Sequence, residues 1–272
     1  EGWSAAGKGA LLSRFIRKLD PRFFSVDSLQ TEPDRTEQRY PFWHRYIKLL
    51  PAAGQLALWD GGWSGQLVRQ YLLGQIDEDT YRQLRQEACQ LERQLADNGY
   101  LLIKIFLHIN EKEQKRRLQK LLANKDTAWR VNDDDCWQNQ RYQDFAAAFF
   151  SYIGATDRPY AAWHILDGQD KKGAEAMALT ILTTAIAQAL AKAPVATKLP
   201  EHKPVVNRLS QVDLNKTLAV STYKEELAHW QKKLAELHNQ LYRTKTPLIV
   251  VYEGWDAAGK GGNIRRLSEA LD

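Results

Sequence analysis

Methionine is almost absent. Met177 is the only one in 272 residues, so Glu1 is not an initiator and the chain reads as cut from something longer. Cysteine is nearly as scarce: Cys89 and Cys136 offer neither a metal-ligand spacing nor a disulfide framework. That usage fits a reducing compartment, and the expectation is a cytoplasmic protein. No run approaches the roughly 18 apolar residues of a membrane span. The longest apolar-leaning stretch, 174–196, is rich in Ala and Thr and reads as a packed helix, so no membrane partner is expected. No secretory leader is expected either, since the chain opens Glu-Gly-Trp rather than with a basic and then apolar segment. The six histidines show no H-E-x-x-H spacing and stand near no evident nucleophile, which excludes the common zinc-hydrolase and triad patterns. What is present, 44% hydrophobic and 26% charged residues, is the composition of a folded chain rather than a disordered one. A net charge of +5 suits an anionic ligand but is too mild to argue for nucleic acid.

The chain repeats itself once. Residues 1–20 read EGWSAAGKGALLSRFIRKLD, and residues 253–272 read EGWDAAGKGGNIRRLSEALD. A period of that length is a whole domain, so tandem duplication is the plain reading. Before the second copy, Pro247 to Gly254 (PLIVVYEG) is a β-branched apolar run that reads as a buried parallel strand. On this reading residues 1–192 form a first unit lacking its first strand. Residues 193–222, with three prolines, form a linker. Residues 223–272 begin a second unit.

Each copy carries G-x-x-x-x-G-K: Gly2, Gly7 and Lys8, then Gly254, Gly259 and Lys260. Glycines let backbone N–H groups turn toward phosphate oxygens, the following helix presents its positive end, and the lysine adds a point charge. Gly9 in the first copy, with Gly261 and Gly262 in the second, continues the cradle. The usual Ser or Thr after the lysine, a Mg²⁺ ligand in P-loop enzymes, is replaced by Gly9 and Gly261. Asp256 inside the second loop is an oxygen donor that could hold the metal; the first loop has uncharged Ser4 there. Unequal chemistry in the two units follows. Trp3 and Trp255 flank the loops identically and are expected to pack beneath them.

The G-x-D-A-A-G-K-G-G string resembles the phosphate loop of the polyphosphate kinase 2 family, and the resemblance runs along essentially the whole chain. His44-Arg45-Tyr46 with Leu50-Pro51 and Gly54 is similar to a family segment that places Arg45 on phosphate. Leu56 to Asp60 (LALWD) resembles the Walker B strand, with Asp60 as its metal-binding acid. The family continues D-R-S-W-Y, whereas this chain reads Asp60-Gly61-Gly62-Trp63-Ser64. Gly99 to His108 resembles a second core strand, and Ala161 to His164 a third. Residues from Glu113 to Arg130, including Arg116 and Arg117, resemble the lid helix and its phosphate-contacting bases.

The resemblance implies a P-loop kinase-like α/β fold: a three-layer sandwich with a mostly parallel sheet and a helical lid. The tandem arrangement is similar to fused members that make ADP from AMP and polyphosphate with Mg²⁺. Asp256 and Lys260 are then the catalytic pair, and the first unit, lacking the loop acid and the Walker B arginine, is expected to be inactive. A polyphosphate-binding scaffold, or a kinase of nucleoside diphosphates, is the alternative. A homo-oligomer is compatible with all of these.

Two further readings concern helices. Asp133, Asp134 and Asp135 follow Asn132 and read as first-turn acids rather than a metal cluster. Tyr223 to Lys245 carries Leu227, Trp230, Leu234, Leu237 and Leu241 at helical spacing, to pack on the second unit's sheet. Thr222 with Glu225 predicts a capping box at its start.

Overall fold

A computed structural model describes residues 1–29, 37–191 and 208–271. The chain divides into two compact units, Glu1–Ala196 and Thr197–Asp272. Residues 193–207 of the expected linker lie outside the described residues.

In the first unit the elements run α1 (Lys8–Ile16), β1 (Phe24–Ser28), α2 (His44–Ile47), β2 (Leu56–Asp60), α3 (Trp63–Leu72), α4 (Glu78–Asp97), β3 (Lys104–His108), α5 (Glu111–Leu122), α6 (Asp133–Gln140), α7 (Tyr142–Thr156), β4 (Trp163–Asp167) and α8 (Lys171–Ala191). The expected α/β fold with parallel strands is what forms. β1 pairs with β2 in register from Phe24–Leu56 to Ser28–Asp60, and β3 with β4 from Lys104–Trp163 to His108–Asp167, both parallel. Gly2 adds a parallel bridge to Leu107, with the Trp3 N–H donating to the Leu107 carbonyl at 3.3 Å. The first phosphate loop thereby leaves the C-terminal edge of β3, where open α/β sheets bind their ligands.

Between the strands the sequence codes its helices locally. Asp77, Asn110 and Asn132 each accept a backbone N–H from the third residue on, capping α4, α5 and α6. At α6 the Asp135 carboxylate returns the bond to the Asn132 N–H, a complete capping box. The three aspartates are first-turn acids of α6.

The core lies between the strands and α3, α4 and α7, with Trp3, Tyr46, Leu67, Phe106, Ile109 and Tyr152 almost wholly buried. One ion pair is built into it. Glu92 is fully buried, and the Lys104 ammonium donates to it at 2.8 Å, donates also to the Thr156 carbonyl at 3.0 Å, and sits 4.8 Å from the Trp163 ring centroid. Burial pushes the Glu92 carboxyl up and the Lys104 ammonium down from their ordinary values.

α8 departs from the expectation drawn from its sequence. Ala174 and Ala178 pack inward beside β4, but Met177, Leu179, Ile186 and Leu190 are exposed. By length and composition alone this 21-residue helix is long and apolar enough to cross a membrane.

The second unit contains α9 (Val220–Thr244) and α10 (Lys260–Ser268). α9 starts three residues before the expected Tyr223, at an Ala219 cap with no side-chain hydrogen bond, so the Thr222 capping box does not form. Its apolar stripe is half-covered at Leu227, Leu234 and Leu241 and exposed at Trp230 and Leu237. The expected strand in Pro247 to Gly254 is also not formed: the segment is irregular, with Ile249 87% exposed. Among residues 208–271 no other strand is described, and a parallel strand without a ladder partner leaves its backbone groups to water. The stripe on α9 lacks a sheet to cover for the same reason.

Candidate functional site

The two loops fold alike although their surroundings differ. Gly7 (φ 109°) and Gly259 (φ 84°) are the left-handed N-caps of α1 and α10. Ala5 (φ 58°) and Ala257 (φ 57°) take the same left-handed kink two residues earlier. Lys8 Nζ donates to the Gly2 and Trp3 carbonyls at 3.1 and 3.0 Å, and Lys260 Nζ to Gly254 and Trp255 at 2.8 Å each. Each lysine thus folds back over its loop and braces it. Gly2 is obligatory, because a Cβ there would meet the Leu107 carbonyl oxygen at 2.5 Å.

Beneath the first loop, Trp3 is fully buried, as expected. It stacks on Tyr142 at 4.0 Å, meets Phe149 edge-on and donates from Nε1 to His108 Nδ1 at 3.0 Å. Trp255 does not pack in the same way; it is 85% exposed, and among residues 208–271 no strand is described that could carry a floor beneath it.

The first loop opens on a cleft lined by Gly2, Ser4, Lys8, Gly61, Arg69 and Asp134, among others. Asp60, at the end of β2, lies beside the start of α1: a Cβ on Gly9 would stand 3.9 Å from Asp60 Oδ2. Arg45 is on α2 with its guanidinium 5.8 Å from the Tyr46 ring centroid, and it is not among the residues lining the cleft. Arg116 is exposed and forks onto Glu113 at 2.7 Å through both Nε and Nη2. Arg116 and then Arg117 hold the Glu113 carboxyl down at about 2. Arg117 is buried and turned toward the loop's own backbone, so the two lid arginines have different surroundings.

Sequence reading missed how Ser4 is held. Its hydroxyl donates to Asp135 Oδ1 at 2.6 Å, and its N–H donates to Gln138 Oε1 at 2.8 Å. Gln114, fully buried, donates to the same Gln138 oxygen at 2.8 Å and to the Ser4 carbonyl at 3.3 Å, and Asn139 donates to Gln114 in turn. This network stitches α6 down onto the loop at the position where the second loop has an acid. Asp256, by contrast, is exposed, and its Oδ1 accepts the neighbouring Ala257 N–H at 3.0 Å. A carboxylate at position 4 would face Asp135 at hydrogen-bond distance without a proton to share. Ser4→Asp is therefore expected to lower the stability of the first unit by about 1–3 kcal/mol, and Ser4→Asp with Asp135→Ser to recover most of it, as read by chemical denaturation. Gly61 takes a φ of 88°, a left-handed conformation that a residue with a side chain rarely adopts.

The polyphosphate kinase 2 sequence profile matches residues 1–194 and 217–272. The chain belongs to that family. It is 33% identical over its whole length to a polyphosphate:AMP phosphotransferase of Pseudomonas aeruginosa, covering 56% of that relative. It is 31% identical to NDP-polyphosphate phosphotransferase 1 of Ruegeria pomeroyi, over 63% of this chain and 56% of that one. A crystal structure assigned to polyphosphate kinase 2 from Pseudomonas aeruginosa PA01 superposes on the whole chain with a TM-score of 0.82 at 31% identity, with 53% of that chain covered. The chain spans about half the length of the relatives that it matches end to end. In this chain Lys8 and Lys260 each follow a left-handed glycine at a helix start, Asp256 lies in the second loop, and Asp60 ends β2. The glycines Gly254, Gly261 and Gly262 lie in or just after the second loop, of which only Lys260 is part-covered.

Proposed function

We propose that this protein is a polyphosphate:AMP phosphotransferase, moving the terminal phosphoryl group of polyphosphate to AMP to give ADP. The observation that carries this is the pair of like-folded loops, each with its lysine, of which only the second has an acid. It is supported by the whole-chain similarity to relatives of that name. Residues 1–192 and 223–272 are assigned to two family units joined by 193–222, acting in the cytoplasm.

The working site is assigned to the second loop. Backbone N–H groups from Gly259 to Gly262 and the Lys260 ammonium bind phosphate oxygens, and Asp256 orients the acceptor or holds Mg²⁺. Mg²⁺ binds through one or two carboxylates together with substrate phosphates, and a lone loop carboxylate suits that mode better than an all-protein cage. When bound, the ion would neutralise charge developing on the transferred group. The chain's own part is positioning: lysine and N–H groups hold the donor and acceptor in line. The first unit is assigned a non-catalytic role, because Ser4 is tied to α6 and Gly61 has lost the arginine.

ADP formation from AMP, polyphosphate and Mg²⁺ tests this in the full-length protein. Lys260→Ala is expected to lower turnover by about 10²–10³-fold, the usual loss on removing one transition-state donor, with Lys8→Ala close to wild type. If Lys8→Ala is the lethal change, the assignment of the working loop is wrong. A second reading, transfer to nucleoside diphosphates, draws support from relatives named for ADP and GDP. Turnover with ADP or GDP exceeding that with AMP would favour it.

A further inference from the structure

For a loop to aim its N–H groups at an anion, its carbonyl groups must point the other way, into the protein, where each needs a donor. In the first loop the turn is set by Ala5, whose φ of 58° is a left-handed conformation that costs a Cβ-bearing residue about 1 kcal/mol or more. The carbonyls displaced by that kink are met by one side chain. Arg117 on α5, 9% exposed, donates from Nη1 to the Ala5 and Ala6 carbonyls at 3.2 and 2.9 Å. Its Nη2 donates to the Gly168 carbonyl at 2.8 Å, and its Nε to Glu113 Oε1 at 2.6 Å. Gly168 follows β4 and is pressed so close that a Cβ would stand 3.3 Å from the Ala6 carbonyl oxygen. One planar guanidinium therefore ties the loop, the end of β4 and α5 together.

We propose that Arg117 is a positioning residue for the first loop: it satisfies the Ala5 and Ala6 carbonyls and anchors the kinked loop to α5 and the end of β4, holding the loop N–H groups in place without touching phosphate. The assignment rests on the reading of residues 2–9 as a phosphate cradle. It replaces the phosphate contact that the lid resemblance implies, because every nitrogen of this guanidinium is already directed at a protein oxygen. Lysine cannot take its place, since an ammonium on a flexible stem does not reproduce a rigid fork spanning three carbonyls.

The test combines hydrogen exchange with tripolyphosphate binding in the full-length protein, comparing wild type, Arg117→Lys and Arg117→Ala. The N–H groups of Trp3, Ser4 and Ala6 are hydrogen-bonded in the native loop and report on it. Arg117→Ala is expected to speed exchange in the peptide containing them about tenfold, as loss of charge-assisted hydrogen bonds implies, with α4 unchanged. Tripolyphosphate binding to a Lys260→Ala background, which isolates the first loop, should weaken by a similar factor. Arg117→Lys should fail to restore either. A lysine variant that binds tripolyphosphate like wild type, or an alanine variant whose loop exchange is unaltered, overturns the proposal. So does exchange that rises equally in α4, which marks general destabilisation. Absence of wild-type binding would count against the cradle reading alone, while loop exchange still decides the role of Arg117.

Discussion

Lys104→Met is expected to destabilise the first unit by about 3–5 kcal/mol, because it strands a carboxylate in the core. Glu92 is fully buried and Lys104 is the cation facing it at 2.8 Å. The loss should depend on pH with a definite sign. Burial already raises the Glu92 carboxyl above its ordinary value, and removing the ammonium raises it further. A group raised in the folded state stabilises fully below its unfolded pKa and loses that contribution as pH rises through the folded one. The deficit of Lys104→Met should therefore be small near pH 4, where Glu92 can protonate, and grow toward pH 8. Urea denaturation at the two pH values measures it. Glu92→Met with Lys104→Met should restore stability, since an apolar pair of similar volume has no desolvation to offset. A deficit that does not vary with pH would mean that lost packing on Trp163, rather than charge, is the cause.

Trp3→Ala is expected to cost a comparable amount, about 3–5 kcal/mol, by emptying the floor under the first loop. Trp3 has no exposed surface, stacks on Tyr142 and satisfies His108 Nδ1. Trp3→Phe keeps much of the stacking but removes the donor and part of the ring volume, so its cost should be smaller, about 1–3 kcal/mol. The unfolding transition of the first unit, followed by circular dichroism, ranks the two. Equal losses would show that the hydrogen bond to His108 matters more than the volume of the indole.

Much of the site was legible because its signals are local. Gly2, Gly7 and Lys8 within seven positions code a turn and a helix start whatever surrounds them, and the same spacing at Gly254, Gly259 and Lys260 gives the same kink at Ala257. The strand ending at Asp60, the α6 cap at Asn132 and the buried Trp3 were likewise readable from nearby residues. β1 was not: FSVDS has no clear alternation, and its identity comes from lying beside β2.

The sequence by itself determined the family, the duplicated loop and the loss of an acid at Ser4. Tertiary structure alone decided what those residues touch. The Ser4 bond to Asp135 spans 131 positions, and the Arg117 bond to Ala6 spans 111. No periodicity or motif reports such pairs, because they depend on how α5 and α6 are laid against the loop. Pro247 to Gly254 makes the converse point. Its β-branched run is as strand-like as any in the chain, yet it stays irregular, because a strand's hydrogen bonds come from a neighbour and not from its own residues.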